Sequence, residues 1–305
     1  ALSRVKINKG LSERSSTYQI PPRLSMTQLG KDRVTRETSI VAVSQNKSSV
    51  KEQEQSVTPL AGVAKDEEVF HLTNVTKRWP GVQGFTLAVP ELIVRRGEKV
   101  ALVGLSGCGK STLLDLLAMV LRPDEAGQFV FFSQQGQKQD IMDAWTRKKL
   151  SRLARIRMVH IGYILQTGGL FPFLTIRENI GISLLGLGLP VNDAVEDMAK
   201  RLHIERHLNK RPGQLSVGER QRVAIGRAMA HRPSLVIADE PTASLDPINA
   251  EDIMDLFSAL ADEKGVTLIM ATHDWGNLGK RGFRHVQFDL KQEAEHGTVK
   301  ARVYG

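Results

Sequence analysis

The 305-residue sequence contains one cysteine, few aromatic residues and no long apolar run. Cys108 alone cannot form an internal disulfide and offers no cysteine cluster for zinc, which favours a reducing compartment. The longest apolar stretches, residues 113–121 and 180–189, are interrupted by Asp115 or by glycines. They are far shorter than the roughly 18–20 residues that a membrane-crossing helix needs. We therefore predict a globular chain that does not cross a bilayer, in the cytosol by default.

Positive charge is concentrated at the start of the chain. The formal net charge is +9, and residues 1–65 hold eleven Lys and Arg against five Asp and Glu. Because this segment is polar and lacks helical or strand periodicity, we predict that residues 1–66 form a flexible extension. It has no secretory signal pattern, whereas a mitochondrial-type presequence stays open. It is either an inert tail or an arm that binds a membrane or a partner.

From residue 69 onward, short apolar strands alternate with amphipathic helices, which is typical of an α/β domain with a largely parallel sheet. A strand over 99–103 leads into a match to G-x-x-x-x-G-K-[ST] and then into a helix predicted over 112–121. The backbone of such a loop surrounds the phosphates of a nucleotide. We expect Lys110 to contact the β- and γ-phosphates, Ser111 to ligate Mg²⁺, and the Cys108 side chain to be a spectator. The predicted nucleotide-binding residues of this loop are Gly104, Ser106, Gly107, Cys108, Gly109, Lys110, Ser111 and Thr112.

Two later apolar strands end in side chains suited to phosphate chemistry. The strand over 235–238 is followed by Asp239 and Glu240, and the strand over 267–271 is followed by His273 after one residue. Ligands of open α/β sheets bind at the carboxyl ends of the strands, so these side chains are expected beside the loop. We predict that Asp239 orients Mg²⁺, that Glu240 is the general base, and that His273 holds the attacking water in register. A lone histidine is more often structural, but its place after a buried strand favours function.

A further motif begins at Ser216, which with Glu219 forms the S-x-x-E pattern of a helix capping box. A helix that opens in this way presents free N–H groups and a positive dipole end, which suit an anion.

These motifs together resemble the nucleotide-binding subunits of ATP-binding cassette (ABC) transporters over about residues 68–290. The resemblance implies a P-loop NTPase (RecA-like) core with a mostly parallel sheet, an N-terminal antiparallel β subdomain and an inserted α-helical subdomain. The ATPase domain would span residues 67–305 and the helical subdomain about 167–232. The cofactors implied are ATP and Mg²⁺.

The resemblance also assigns roles to residues that spacing alone does not explain. Gln166 is expected to contact Mg²⁺ and take part in catalysis, and Trp79 to stack on adenine or, in the plainer alternative, to pack under a loop. In the family, two subunits sandwich two ATP molecules, so the signature helix binds the γ-phosphate held by the other subunit. The residues expected there are Ser216, Gly218, Glu219 and Asp246.

Two positions depart from the family's commonest signature. Val217 stands where a glycine is usual, which adds a Cβ and is expected to keep binding but stiffen the turn. Glu219 replaces the more common glutamine. The motifs are closest to the lipoprotein-release, macrolide-export and cell-division branch, which works on membrane-embedded cargo or transmits force.

Three other segments have distinct patterns, and two of them suggest contacts with partners or lipid. Apolar residues over 191–203 recur at helical spacing and predict an amphipathic helix. Residues 168–174 contain Pro172 together with Phe and Leu side chains. We expect these side chains either to be exposed and to bind a short helix of a membrane subunit, or to be buried within the helical subdomain. A helix predicted over 146–157 carries six basic residues and is either a solvated face or lies near lipid head groups.

The leading interpretation is an ATPase subunit, most simply a homodimer, that drives a separate integral membrane permease from the cytoplasmic face of the inner or plasma membrane. The alternative is a soluble ABC-type ATPase that acts on nucleic acid or ribosomes through its basic extension. A regulatory cassette that does not hydrolyse ATP is disfavoured by the intact catalytic set. We expect no direct contact with nucleic acid.

Overall fold

The computed structural model describes residues 67–79, 84–273, 278–293 and 298–304. The predicted extension, residues 1–66, lies outside the described residues. The strands of the described chain are β1 (Glu68–Trp79), β2 (Phe85–Arg95), β3 (Lys99–Val103), β4 (Gln128–Phe132), β5 (Lys138–Asp140), β6 (Ile161–Ile164), β7 (Leu235–Asp239), β8 (Thr267–Thr272), β9 (Phe283–Glu293) and β10 (Thr298–Tyr304). Its α-helices are α1 (Lys110–Leu117), α2 (Ile141–Thr146), α3 (Leu150–His160), α4 (Ile176–Gly186), α5 (Asn192–Arg201), α6 (Val217–Met229) and α7 (Pro247–Lys264).

The ten strands of the described residues form one sheet in the order β5-β4-β1-β2-β10-β9-β3-β8-β7-β6. From β9 to β6 every neighbouring pair is parallel, and β1, β2, β4 and β5 pair antiparallel. The predicted fold class is confirmed: a mostly parallel core adjoins an antiparallel part near the N-terminal side of the domain. The two parts meet through β10, which is parallel to β2 and antiparallel to β9. Sequence analysis did not predict this C-terminal link.

Apolar layers cover both faces of the central strands. In β7, Leu235 and Ile237 pack into one cluster of buried residues, and Val236 and Ala238 pack into another. Successive side chains of a strand point to opposite faces, so an unbroken apolar run is what burial on both faces requires. Asp239, the last residue of β7, and Glu240, which follows it, therefore lie at the carboxyl edge of the sheet.

Two helices differ from their predicted bounds. The helix predicted over 112–121 begins at Lys110 and ends at Leu117. The basic helix predicted over 146–157 is wrong at its start, because Lys148 has a φ of +53° and separates α2 from α3.

The basic residues of this region are mostly engaged within the fold. Asp143 pairs with Arg147 and Lys149, Arg152 donates to the side chain of Gln139, and Arg157 donates to a backbone carbonyl. Four of the six basic groups therefore have partners, which favours a solvated structural face over a lipid-binding one. No helix among the described residues combines the length and the apolarity needed to cross a membrane.

A buried histidine makes stability sensitive to acid. His231 follows α6 and is 8% exposed, and burial together with the nearby His160 lowers its pKa from 6.5 to about 4. The Ile161 backbone acts on the pKa in the opposite direction, but no described residue forms a hydrogen bond with either ring nitrogen.

We expect His231→Leu to remove part of the chain's pH dependence of stability. Below pH 6.5 the unfolded histidine binds a proton that the folded one does not bind until about pH 4. The free energy of unfolding therefore falls as pH is lowered through this window, by roughly 2–3 kcal/mol from this group. Chemical denaturation at several pH values should show a shallower loss in the variant than in the wild type. The exposed His203, replaced by asparagine, is the control, and parallel wild-type and His231→Leu curves would contradict the assignment.

Candidate active site

The glycine-rich loop lies between β3 and the first turn of α1. Gly109 is the N-cap of α1 with a φ of +99°, and no described side chain caps this helix end. A Cβ at Gly109 would lie 2.9 Å from the Phe85 ring, so glycine is required there by space as well as by conformation. The uncapped N–H groups of the first turn therefore face into the loop, where a phosphate would satisfy them.

Lys110 is a buried cation with no ion-pair partner among the described residues. Its residue is 5% exposed, and its Nζ donates to the carbonyls of Gly104 (2.8 Å) and Leu105 (3.0 Å). Among the described residues, no carboxylate forms an ion pair with it. A buried ammonium that lacks a counter-charge is suited to an anionic ligand. The donor set of the loop thus fits a phosphate group.

Cys108 is held inside the loop. It is 1% exposed, and burial raises its pKa although Lys110 acts in the opposite direction. A Cβ at Gly104 would lie 2.8 Å from the Cys108 sulfur, so the loop is closely packed against this side chain. A buried thiol with a raised pKa is protonated at neutral pH and unreactive, as expected for a spectator.

Ser111 and Asp239 meet beside the loop. The Ser111 hydroxyl hydrogen-bonds to the Asp239 carboxylate, and the pKa of Asp239 is raised mainly by burial, with Glu240 and Asp115 adding to the rise. No group of three His, Cys, Asp or Glu side chains in the described chain could enclose a metal by itself. One hydroxyl and one nearby carboxylate suit Mg²⁺, which retains water ligands and binds phosphate oxygens.

Three predicted catalytic side chains converge at the carboxyl edge of the sheet. Oε2 of Glu240 lies 3.5 Å from Nε2 of Gln166 and 3.5 Å from Nδ1 of His273. The Glu240 backbone has a φ of +44°, and its N–H donates to the Ala271 carbonyl at 3.0 Å. A residue in this uncommon conformation is held there by its surroundings, here by β8. Glu240 is therefore held beside Gln166 and His273 at this edge of the sheet.

The structure does not join every predicted ligand to the metal site. The Gln166 amide contacts Glu240, and among the described residues no hydrogen bond joins it to Ser111 or Asp239. Its role as a metal ligand stays a prediction.

Trp79 lies at the end of β1 near the phosphate loop. The ring is 47% exposed, and the Lys77 ammonium lies 5.3 Å from its centroid. Its cross-strand partner is Phe85, the residue whose ring touches Gly109. The exposed indole is thus one strand pair away from the loop, where it is available for stacking.

A cleft separate from the phosphate loop lies at the N-terminus of α6. Ser216 caps this helix, and Ser216 and Glu219 form the predicted capping box with distances of 2.8 and 3.2 Å. Asp246 caps α7 by accepting from the Asn249 N–H, and the pKa of its carboxyl is lowered first by a hydrogen bond from the Asn249 side-chain amide and then by this backbone N–H. Residues of the two helix ends line one cavity of about 310 Å³. Its lining includes Ser216, Val217, Gly218, Glu219 and Asp246.

Several residues that hold these groups were not predicted from the sequence. Phe85 packs on the loop glycine, and the Tyr163 hydroxyl donates to Asp115 at 2.9 Å, which ties β6 to α1. Asp115 lies four residues after Ser111, so helical spacing placed it on the same face of α1. The Tyr163 and Phe85 contacts depend on strand pairing and had no local signal.

Comparisons with known proteins match the chain to one protein family. A family model described as "ABC transporter" matches residues 87–243. YbbA of Escherichia coli, an uncharacterized ABC transporter ATP-binding protein, is 39% identical over 209 residues, which cover 67% of this chain and 87% of YbbA. LolD of Aquifex aeolicus, a lipoprotein-releasing system ATP-binding protein, is 36% identical over 68% of this chain and 88% of LolD. The post-hydrolysis dimer of the ATP-binding cassette MJ0796, bound to ADP and Pi, has a TM-score of 0.62 and 31% identity over 75% of this chain and 96% of that one.

Proposed function

This chain belongs to the ABC transporter family as an ATP-binding subunit, and we propose that it closes on two ATP molecules as a homodimer and thereby drives a separate membrane permease. It is an ATPase, and the interpretation as a transporter subunit is favoured over the nucleic-acid alternative. The observation that carries the dimer proposal is the division of the site. Lys110 and Glu240 both act electrostatically on Asp239 beside the phosphate loop, whereas Ser216 and its helix end line a separate cavity.

Exposed apolar side chains lie beside the phosphate loop and beside the N-termini of α6 and α7. Leu105 of the phosphate loop is 76% exposed, Ile248 at the start of α7 is 77% exposed, and Val217 is 42% exposed. Their burial between two copies would favour association. The effect of Val217 on activity stays a prediction.

Catalysis rests on positioning and charge. Lys110 binds the phosphates, Glu240 accepts the proton of the attacking water, and His273 and Gln166 hold the carboxylate and the water in place. Ser111 and Asp239 would hold Mg²⁺, and the chemistry that the ion would supply there is neutralisation of negative charge on the phosphates. The N-terminus of α6 from the second copy completes the set of donors.

The loop after Gln166 is the proposed contact with the permease. Phe171 and Phe173 are 38% and 68% exposed, and the Arg227 guanidinium lies 5.9 Å from the Phe171 ring centroid. Arg227 also donates to the carbonyls of Gly168 and Gly169, which gives the loop a fixed shape. We propose that a short cytoplasmic helix of a permease binds this surface, with the chain at the cytoplasmic face of the inner or plasma membrane. Lipid-like or lipoprotein cargo, or force transmission, agrees with the relation to LolD.

The composite site is tested by mixing two inactive variants. Lys110→Ala disables the loop, and Gly218→Asp places a negative charge where the γ-phosphate would bind. A Cβ at Gly218 has no neighbour closer than 3.9 Å, so this variant should fold. Because each active site would combine the loop of one copy with the signature of the other, the mixture should regain about one quarter of wild-type ATPase activity in a symmetric dimer.

Dilution provides an independent measurement. The wild-type rate per molecule should fall as the chain is diluted below its dimer dissociation constant. A constant rate on dilution, together with no recovery in the mixture, would show that one copy is complete by itself.

A further inference from the structure

A buried histidine that does not line the cavity at the N-terminus of α6 contacts this helix, the signature helix. His207 ends the short 3₁₀ turn Glu205–His207 and is 5% exposed. Its Nε2 lies 2.9 Å from Oε1 of Glu219, in the first turn of α6. Its other ring nitrogen, Nδ1, is buried, and no described residue hydrogen-bonds to it.

The two carboxylate oxygens of Glu219 have different neighbours. Oε2 accepts from the Ser216 backbone N–H and closes the capping box, whereas Oε1 faces His207. Since two lone pairs at 2.9 Å would repel, Nε2 of His207 carries the proton and donates to Glu219. The Arg206 guanidinium lies 3.8 Å from the same carboxylate but is 80% exposed, so water screens its charge. Its Nε–H also points at the imidazole Nε2 at 3.0 Å and competes with the Glu219 contact, because Nε2 cannot accept from Arg206 while it donates to Glu219. The Glu219 contact prevails because His207 is buried against it, whereas the exposed Arg206 side chain can turn toward water.

The turn that carries His207 is fixed to a neighbouring helix. The backbone N–H groups of Ile176 and Arg177 donate to the carbonyls of Lys210 and Leu208 at 2.8 and 2.9 Å. Ile176 begins α4, which follows the exposed loop after Gln166. His207 thus has a firm backbone support, and Glu219 is the group that its imidazole orients.

We infer that His207 is a positioning residue for the ATP-dependent dimer. Its Nε2–H orients Glu219, Glu219 holds Ser216, and the N-terminus of α6 is thereby prepared for the γ-phosphate on the other copy. Packing does not explain the residue, because a leucine would fill the space without a buried unpaired nitrogen. The inference rests on the proposed function and names a residue that no sequence motif indicates.

The test measures dimer formation with MgATP in a Glu240→Gln background, by analytical ultracentrifugation of the full chain. His207→Leu should raise the dimer dissociation constant about tenfold, because it removes one hydrogen bond to a charged group. ATP affinity of the monomer should not change, since the phosphate loop is untouched. His207→Gln can place an amide N–H near the position of Nε2 and should stay within about twofold of the parent. His207→Asn is too short and should resemble His207→Leu.

His231→Leu is the matched control, because it also removes a buried histidine with unpaired nitrogens but leaves the signature intact. Circular dichroism verifies folding, and if His207→Leu fails to fold, the Gln and Asn variants decide. Equal dimerisation of His207→Leu and the parent, or identical behaviour of Gln and Asn, overturns this inference alone. A parent that binds ATP without dimerising overturns the proposed function and this inference together.

Discussion

Replacing Glu240 with glutamine is expected to lower ATP turnover by a factor of about 10²–10⁴, the range that a positioned general base contributes. The glutamine keeps the size of the side chain and can keep its contacts with Gln166 and His273, which lie 3.5 Å from Oε2 in the wild type. It cannot accept the proton of the attacking water. Steady-state phosphate release at saturating MgATP measures the loss.

The same variant should accumulate an ATP-bound dimer, since binding is preserved and the step that reopens the dimer is slowed. Size-exclusion chromatography with and without MgATP would show the shift. Glu91→Gln, at an exposed position of β2, is the control for loss of one negative charge and should behave as the wild type. Turnover near the wild-type rate in Glu240→Gln would remove this carboxylate from its assigned role.

Replacing Lys110 with alanine is expected to weaken ATP binding by about 10²-fold or more, as for a charged hydrogen-bonding group removed from a buried site. The wild-type ammonium is 5% exposed, and its hydrogen-bond partners among the described residues are two backbone carbonyls and the Cys108 sulfur, so a bound anion would stabilise its charge. Equilibrium titration with a fluorescent ATP analogue measures the affinity directly.

Thermal unfolding separates lost binding from lost stability. Wild-type chain at an ATP concentration of 100 times its dissociation constant should gain roughly 2.7 kcal/mol, which raises its Tm by several degrees. Lys110→Ala should lose this gain while its Tm without nucleotide stays close to that of the wild type. Lys99→Ala is the matched control. Lys99 lies in β3, the strand before the loop, and pairs with Asp262 of α7, so the substitution should lower the Tm but leave the ATP-induced shift unchanged. An ATP-induced shift in Lys110→Ala equal to that of the wild type would contradict the assignment.

Local patterns allowed the confirmed predictions of fold and family. The run Leu235–Ala238 indicated a strand buried on both faces, and its alternate side chains do enter two different clusters. Ser216 and Glu219 indicated a capping box, and both of its hydrogen bonds are present. In each case the chemistry depends on residues a few positions apart, so periodicity and spacing carry the information.

Predictions were least accurate where the backbone conformation of a single residue changes the direction of the chain. The basic run over 146–157 has the periodicity of one helix, but Lys148 adopts a positive φ and divides it. The domain bounds, including residues 1–66 and 167–232, stay predictions.

The amino-acid sequence by itself determined the chemistry of this protein: a phosphate loop, acids at strand ends and a capped helix, each encoded by neighbouring residues. Only the tertiary structure decided which distant side chains meet, as when Gln166 and His273 converge on Glu240, Phe85 seats Gly109, and His207 reaches Glu219. The physical reason is that hydrogen bonds and packing act over a few ångströms in space, whereas strand order and helix placement bring together residues that local spacing does not relate.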